Sequence, residues 1–359
     1  MTTPSGIRII GERRGAIDLF YSVMEVKRVV FISTLWYNSI IMLTNILYIT
    51  GGFYFLIKGA DALVSGASSI ARKLGVSALV VGLSVVAFGT SAPELFVNLI
   101  ATVNGSTEIA IGNVLGSNLA NMLLILGICA MITRLTLKST TIWKEIPFSL
   151  LAAVLVLVFG SDIWLDGGAM NIIGRVEGIA FLSFFVIFLF YIFGLRTSSE
   201  HATEQIETFS TMKSIAYTLA GLVGLAVGGQ FVVNGATGIA LGFGVSSNLI
   251  ALTVVALGTS LPELVTSVVA ARKGHLDMAI GNIVGSNIFN ILFVLGVSAV
   301  VIPLPFAGAN LMDAAAVIVA TLFLFIALFL GQKKSLGKIE GFALVSIYLV
   351  YMIFAVVRG

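Results

Sequence analysis

Residues 82–127 lie over residues 251–296 without a gap, displaced by 169 positions, and about half of the aligned positions are identical. Within that overlap G-T-S-A-P-E (residues 89–94) returns as G-T-S-L-P-E (258–263). Likewise G-N-V-L-G-S-N (112–118) returns as G-N-I-V-G-S-N (281–287). Each copy places one carboxylate, Glu94 or Glu263, inside a long apolar run. A chain that repeats itself this way is built from two like halves, and whatever the acid does in one half it does in the other.

The apolar runs decide the solvent. Hydrophobic residues make up 58% of the chain, charged residues 10%, and mean hydropathy is +1.09. A span needs roughly 20 apolar residues, and ten runs reach that scale. They cover residues 42–70, 76–102, 108–132, 145–161, 175–195, 212–240, 246–271, 277–301, 311–331 and 338–357. The fifth and tenth open alike, R-V-E-G at 175–178 and K-I-E-G at 338–341, so each half holds five spans. An odd number leaves the end of a half on the side opposite its start, so the second half must run upside down. The expected fold is an all-α polytopic membrane protein, ten transmembrane helices as two inverted five-helix repeats. In that plan the site lies at the repeat interface near the bilayer midplane.

The halves are expected at 42–195 and 212–359, joined by a short acidic linker, 196–211, carrying Glu200, Glu204 and Glu207. Residues 1–41 have no counterpart in the second half; they are either an upstream-start artefact before Met42 or a loosely held extension. Lys and Arg gather in the connections after the odd-numbered spans, including Arg72, Lys73, Lys138, Arg272 and Lys273. The connections after the even spans hold only Arg175, with Arg358 at the C-terminus. The positive-inside rule then sets both ends of the ten-span unit outside. The location expected is the cell membrane, the inner one in a Gram-negative cell.

Several classes fall away. Cys129 is the single cysteine, and His201 and His275 fall in loops, so no thiolate or histidine metal site is expected. No basic patch suits nucleic acid. An intramembrane hydrolase would need a nucleophile–base pair that no span carries, so no enzyme and no resident cofactor are expected. No obligatory protein partner is evident beyond the lipid bilayer.

Around each acid the side chains are oxygen donors. Thr90 and Glu94 stand one helical turn apart with Ser91 beside them, and Pro93, lacking an N–H, leaves the Gly89 carbonyl without its helical partner. Thr259, Ser260, Pro262 and Glu263 repeat the pattern. On the next spans Ser117 and Asn121 mirror Ser286 and Asn290. Two carboxylates among hydroxyls, amides and carbonyls suit a hard cation such as Ca²⁺, which takes about six to eight oxygens, and suit Na⁺ or protons as well. Gly112 with Gly116, and Gly281 with Gly285, read as small-residue contacts that let helices approach. Asn118 and Asn287 point about 100° from the neighbouring serines and read as helix-to-helix hydrogen bonders. Lys58 and Asp61 read as a local ion pair on the first span.

The paired motifs resemble the two α-repeats of the sodium/calcium exchanger family, in the cation/Ca²⁺ exchanger superfamily, in its prokaryotic type without a regulatory domain. The resemblance covers the ten-span unit from about Met42. It implies Ca²⁺ and Na⁺ sites built from Glu94, Glu263, Thr90, Thr259, Ser91 and Ser260. It adds the carbonyls of Ala87 and Ala256, with Ser117, Asn121, Ser286 and Asn290 completing the cluster. It also implies alternating access in which the first and sixth spans slide against the rest. Asn290 stands where potassium-dependent members carry Asp, which argues against a K⁺ requirement. The expected activity is Ca²⁺ extrusion in exchange for Na⁺; Ca²⁺/H⁺ antiport and a cation channel are the alternatives.

Overall fold

The computed structural model describes residues 5–139, 141–165, 167–194, 209–245, 250–330 and 334–358, without the side chains of 5–23, 25–38, 251, 252, 329 and 330. The linker expected at 196–211 therefore falls almost wholly outside the described residues.

Apolar runs in lipid must satisfy their own backbone polar groups, and these do so as helices. In chain order they are α1 (Ser5–Leu74, its apolar span Ser39–Leu74), α2 (Ala78–Thr90 with Ala92–Val103), α3 (Thr107–Ile132), α4 (Thr141–Phe159) and α5 (Arg175–Gly194). The second half gives α6 (Thr211–Gly242), α7 (Thr253–Thr259 with Leu261–Arg272), α8 (Leu276–Val301), α9 (Gly308–Leu330) and α10 (Lys338–Arg358). Helix α1 runs through position 42 without a break.

Spans α2 and α7 bend by 42° and 44° at the repeated motif. At each bend a serine leaves the helical region, Ser91 at φ −84°, ψ 4° and Ser260 at φ −86°, ψ 2°, and a proline follows in the first turn of the next half-helix. Proline suits a helix start and not a helix interior, so the chain stops and restarts there. Wider π-helical turns flank the motifs at Gly82–Val86 and Ala251–Val255, and again at Ala120–Ile125 and Phe289–Leu295. Turns of that kind cluster at functional sites, and nothing in the apolar pattern announces them. The ends of α2 and α7 are also matched: Gly75 and Gly244, Gly105 and Gly274 all take positive φ, a turn conformation that glycine adopts without steric cost.

Short strands clip the two faces. β1 (Leu135–Thr136), β2 (Ile172–Ile173), β3 (Leu304–Pro305) and β4 (Ser335–Leu336) pair antiparallel as β1–β4 and β2–β3. The repeat carries β1 onto β3 and β2 onto β4, so one clip is the inverted image of the other.

Helices α3 and α8 are innermost, with 72% and 83% of their apolar windows buried, against 17% for α1 and α10. Their polar residues therefore face protein and not lipid. Helices α1 and α6 pack along each other through glycines spaced by seven. A Cβ on Gly52 would meet the Gly228 carbonyl at 2.7 Å, on Gly59 the Leu225 nitrogen at 2.8 Å, and on Gly66 the Ser214 carbonyl at 2.7 Å. Backbones this close exclude any side chain between them.

Two expectations are corrected. Asp61 pairs across the fold with Lys273, at 2.5 Å, and not with Lys58; Lys273 also donates to Ser65 Oγ at 2.8 Å. The partner follows α7 on the same face of the molecule, so tertiary proximity overrides helical spacing. The glycine pairs also differ. A Cβ on Gly281 would meet the Leu79 carbonyl at 2.7 Å, and on Gly285 the Ala87 Cβ at 2.9 Å, so α8 is pressed against the first half of α2. Among the described residues nothing lies within 4 Å of a Cβ on Gly112 or Gly116. On that side Val255 and Ala256 are only half-buried, where their counterparts Val86 and Ala87 are fully buried. Among the described residues the first half of α7 is thus less closely packed than the first half of α2.

Candidate cation site

Breaking α2 and α7 at Ser91 and Ser260 makes each acid a first-turn residue of a new half-helix, Glu94 in Ala92–Val103 and Glu263 in Leu261–Arg272. A helix start carries positive partial charge and favours a carboxylate. Both glutamates have no exposed surface.

The two halves are tied together by swapped hydrogen bonds. Ser91 Oγ donates to Glu263 Oε1 at 2.9 Å, and Ser260 Oγ donates to Glu94 Oε1 at 3.4 Å. Thr90 donates to Asn282 Oδ1 at 3.0 Å, and Thr259 to Asn113 Oδ1 at 3.4 Å. Asn290 Nδ2 donates to Ser117 Oγ at 3.0 Å, and Asn121 Nδ2 to Asn287 Oδ1 at 2.9 Å. Asn118 and Asn287 each donate to the other's backbone carbonyl, at 3.4 and 3.3 Å. Every one of these bonds joins one repeat to the other.

Within this cluster the atoms left unpaired are oxygens. Glu94 Oε2, Glu263 Oε2, Asn118 Oδ1, Asn121 Oδ1, Asn290 Oδ1 and Ser286 Oγ are buried and have no hydrogen-bond partner among the described residues. A buried polar group without a partner costs free energy unless something supplies the missing interaction. Each asparagine nitrogen of this set already donates, and apart from the Ser286 hydroxyl the unpaired atoms are acceptors, so most of the unmet demand is for positive charge. The basic groups of the described ion pairs, Lys138, Lys273 and Arg358, are engaged with Asp277, Asp61 and Asp313 instead. A hard cation held by oxygens matches the chemistry of such a set.

The residues expected in the cluster thus all sit on the four bent or innermost spans α2, α3, α7 and α8. Glu94, Glu263, Ser91, Ser260, Ser117, Asn121 and Asn290 are joined by the bonds above or through motif neighbours, and Ser286 is fully buried beside them in sequence. The Ala87 carbonyl accepts from Ser91 N at 3.0 Å, and the Ala256 carbonyl accepts from Thr259 Oγ1 at 3.1 Å. A carbonyl has two lone pairs; the second on Ala87 is within 3.4 Å of Thr90 Oγ1 and is open only when that hydroxyl turns elsewhere. Missed from sequence were Asn113 and Asn282, with their own partners Asn98 (2.7 Å) and Ser267 (2.9 Å). The signal was present, since each is the first asparagine of its G-N motif copy.

The family model described as Sodium/calcium exchanger protein matches residues 44–194 and 213–357. The sodium/calcium exchanger MaX1 of Methanosarcina acetivorans is 30% identical over 343 residues, covering 86% of this chain and 97% of that one. The inner membrane protein YrbG of Escherichia coli is 37% identical over 262 residues, covering 70% and 78%. Among solved structures, the sodium-calcium exchanger NCX_Mj soaked with Na⁺ and Sr²⁺ superposes with a TM-score of 0.76 at 29% identity, covering 87% of this chain and 99% of that one. The chain belongs to the sodium/calcium exchanger family.

Proposed function

We propose that this protein moves Ca²⁺ out of the cell in exchange for entering Na⁺, through one site anchored by Glu94 and Glu263 and opened to each side in turn. The observation that carries this reading is the set of buried oxygens left unpaired around two carboxylates, neither of which is in an ion pair among the described residues. Two carboxylates balance one Ca²⁺, and the same oxygens serve Na⁺ ions when Ca²⁺ has left. The relatives named above as sodium/calcium exchangers support the choice of ions. Asn290 in place of an acid supports independence from K⁺.

The packing difference between the halves supports alternating access. The looser contact of α7 with α3 offers a way to the site from one face, while α2 pressed on α8 closes the other. By the positive-inside rule the looser side is the outer one. Helices α1 and α6, locked backbone to backbone, are suited to move as one body.

The test is ⁴⁵Ca²⁺ uptake into vesicles holding the purified protein. Uptake driven by internal Na⁺ and indifferent to a pH gradient supports the proposal. Uptake driven by a proton gradient alone would make it a Ca²⁺/H⁺ antiporter, and flux that needs no counter-ion would make it a channel.

A further inference from the structure

A hydroxyl carries one hydrogen and two lone pairs, and it ligates a cation only through the lone pairs. Thr90 and Thr259 therefore need somewhere to put a hydrogen. Each has two acceptors within reach. For Thr90 these are Asn282 Oδ1 in the other repeat at 3.0 Å and the Ala87 carbonyl of its own helix at 3.4 Å. For Thr259 the order is reversed, with the Ala256 carbonyl at 3.1 Å and Asn113 Oδ1 at 3.4 Å. A hydrogen turned toward the alanine carbonyl occupies an oxygen that the cation also needs. Turned across the interface, it leaves a lone pair of that oxygen open.

The asparagines are held to receive it. Asn282 Nδ2 donates to Ser267 Oγ at 2.9 Å and to the Glu263 carbonyl at 3.4 Å, which fixes its amide with the oxygen toward Thr90. Asn113 Nδ2 donates to Asn98 Oδ1 at 2.7 Å, and Asn98 Nδ2 donates in turn to the Ala110 carbonyl at 2.9 Å. Asn98, Ser267 and Asn282 have no exposed surface, and Asn113 has 6%. No water is needed to complete either chain.

Building on the site proposed above, we propose that Asn113 and Asn282 are positioning residues. Each draws the threonine hydrogen of the opposite repeat away from the ion path, turning the hydroxyl lone pairs and the alanine carbonyl toward the cation. The two halves stand at different stages. Thr90 is already committed to Asn282, while Thr259, on the loosely packed α7, still favours its own helix. Closing α7 onto α3 would shorten the Thr259–Asn113 bond and complete the second half of the ligand set.

The test is a double-mutant cycle read as apparent KM and maximal rate of ⁴⁵Ca²⁺ uptake. Asn282→Ala and Thr90→Ala should each raise KM for Ca²⁺ about tenfold while the maximal rate stays within about twofold, and the double variant should be no worse than the poorer single one. Thr90→Ser, which keeps a hydroxyl, should preserve the full effect of Asn282→Ala. Additive losses in the double variant, or an unchanged KM in either single one, would overturn the proposal. Should Asn282→Ala fail to insert, Asn282→Cys, close to it in volume and only a weak acceptor, carries the same cycle. Full uptake in Glu94→Gln would sink the site itself; additivity with Glu94→Gln inactive would sink only the role of the asparagines.

Discussion

Asn290 and its repeat mate Asn121 both lie at the centre of the molecule with an amide oxygen unpaired, and neither side chain can balance a charge. An acid at position 290 would add one. Asn290→Asp is expected to alter the dependence of ⁴⁵Ca²⁺ uptake on Na⁺, K⁺ and pH, with the helical fold kept by circular dichroism because the side chains are isosteric. Identical ion dependence would mean that residue 290 lies away from the ions. At this scale the sequence was informative where a polar group recurred inside an apolar run, since lipid leaves no neutral reason for it. Glu94, Thr90, Ser91, Ser117 and their mates stand out in the sequence for that reason. The supporting role of Asn113 and Asn282 does not, because a hydrogen's direction depends on a neighbour 146 or 192 positions away.

Helices α1 and α6 illustrate what an element's sequence says and withholds. Glycines at 52, 59 and 66, and at 221, 228 and 235, repeat every seven residues and fall on one face of each helix. That each row meets the other row is knowable only from the fold, as is the bond from Lys273 to Asp61, 212 positions apart. The glycine contact is backbone to backbone, so it has no flexible side chain to yield. Gly59→Leu should cost more than the ~1–3 kcal/mol of ordinary overpacking and lower the melting temperature by several degrees. An unchanged melting curve would show that the two helices are not held this closely. The exposed Lys273–Asp61 pair is worth only ~0–1 kcal/mol, by contrast, and its loss should leave the melting curve nearly unmoved.

The whole molecule consists of two halves with the same motifs in different packing. Sequence determined the inverted plan through an odd number of spans and a repeat, and it was silent on which half would be tight. Nearly identical motifs can take either arrangement, and that is the property an alternating carrier requires. Gly285→Ala places a methyl 2.9 Å from the Ala87 Cβ and should lower the melting temperature. Gly116→Ala adds its methyl where the described structure is open. It should leave the melting temperature within about 1 °C while slowing exchange at least tenfold, because in the proposed cycle α7 closes onto that glycine. Normal turnover in Gly116→Ala would mean that α7 never closes there.

Both halves converge on the pair of glutamates, and one comparison reaches them directly. Purified protein is reconstituted into Na⁺-loaded vesicles, and ⁴⁵Ca²⁺ uptake is followed for the unaltered chain, Glu94→Gln and Glu263→Gln, with circular dichroism to verify the helical fold. Rapid uptake by the unaltered chain, and none above empty vesicles for either folded variant, is the predicted result. Undiminished uptake by either variant would contradict a cation held between the two carboxylates.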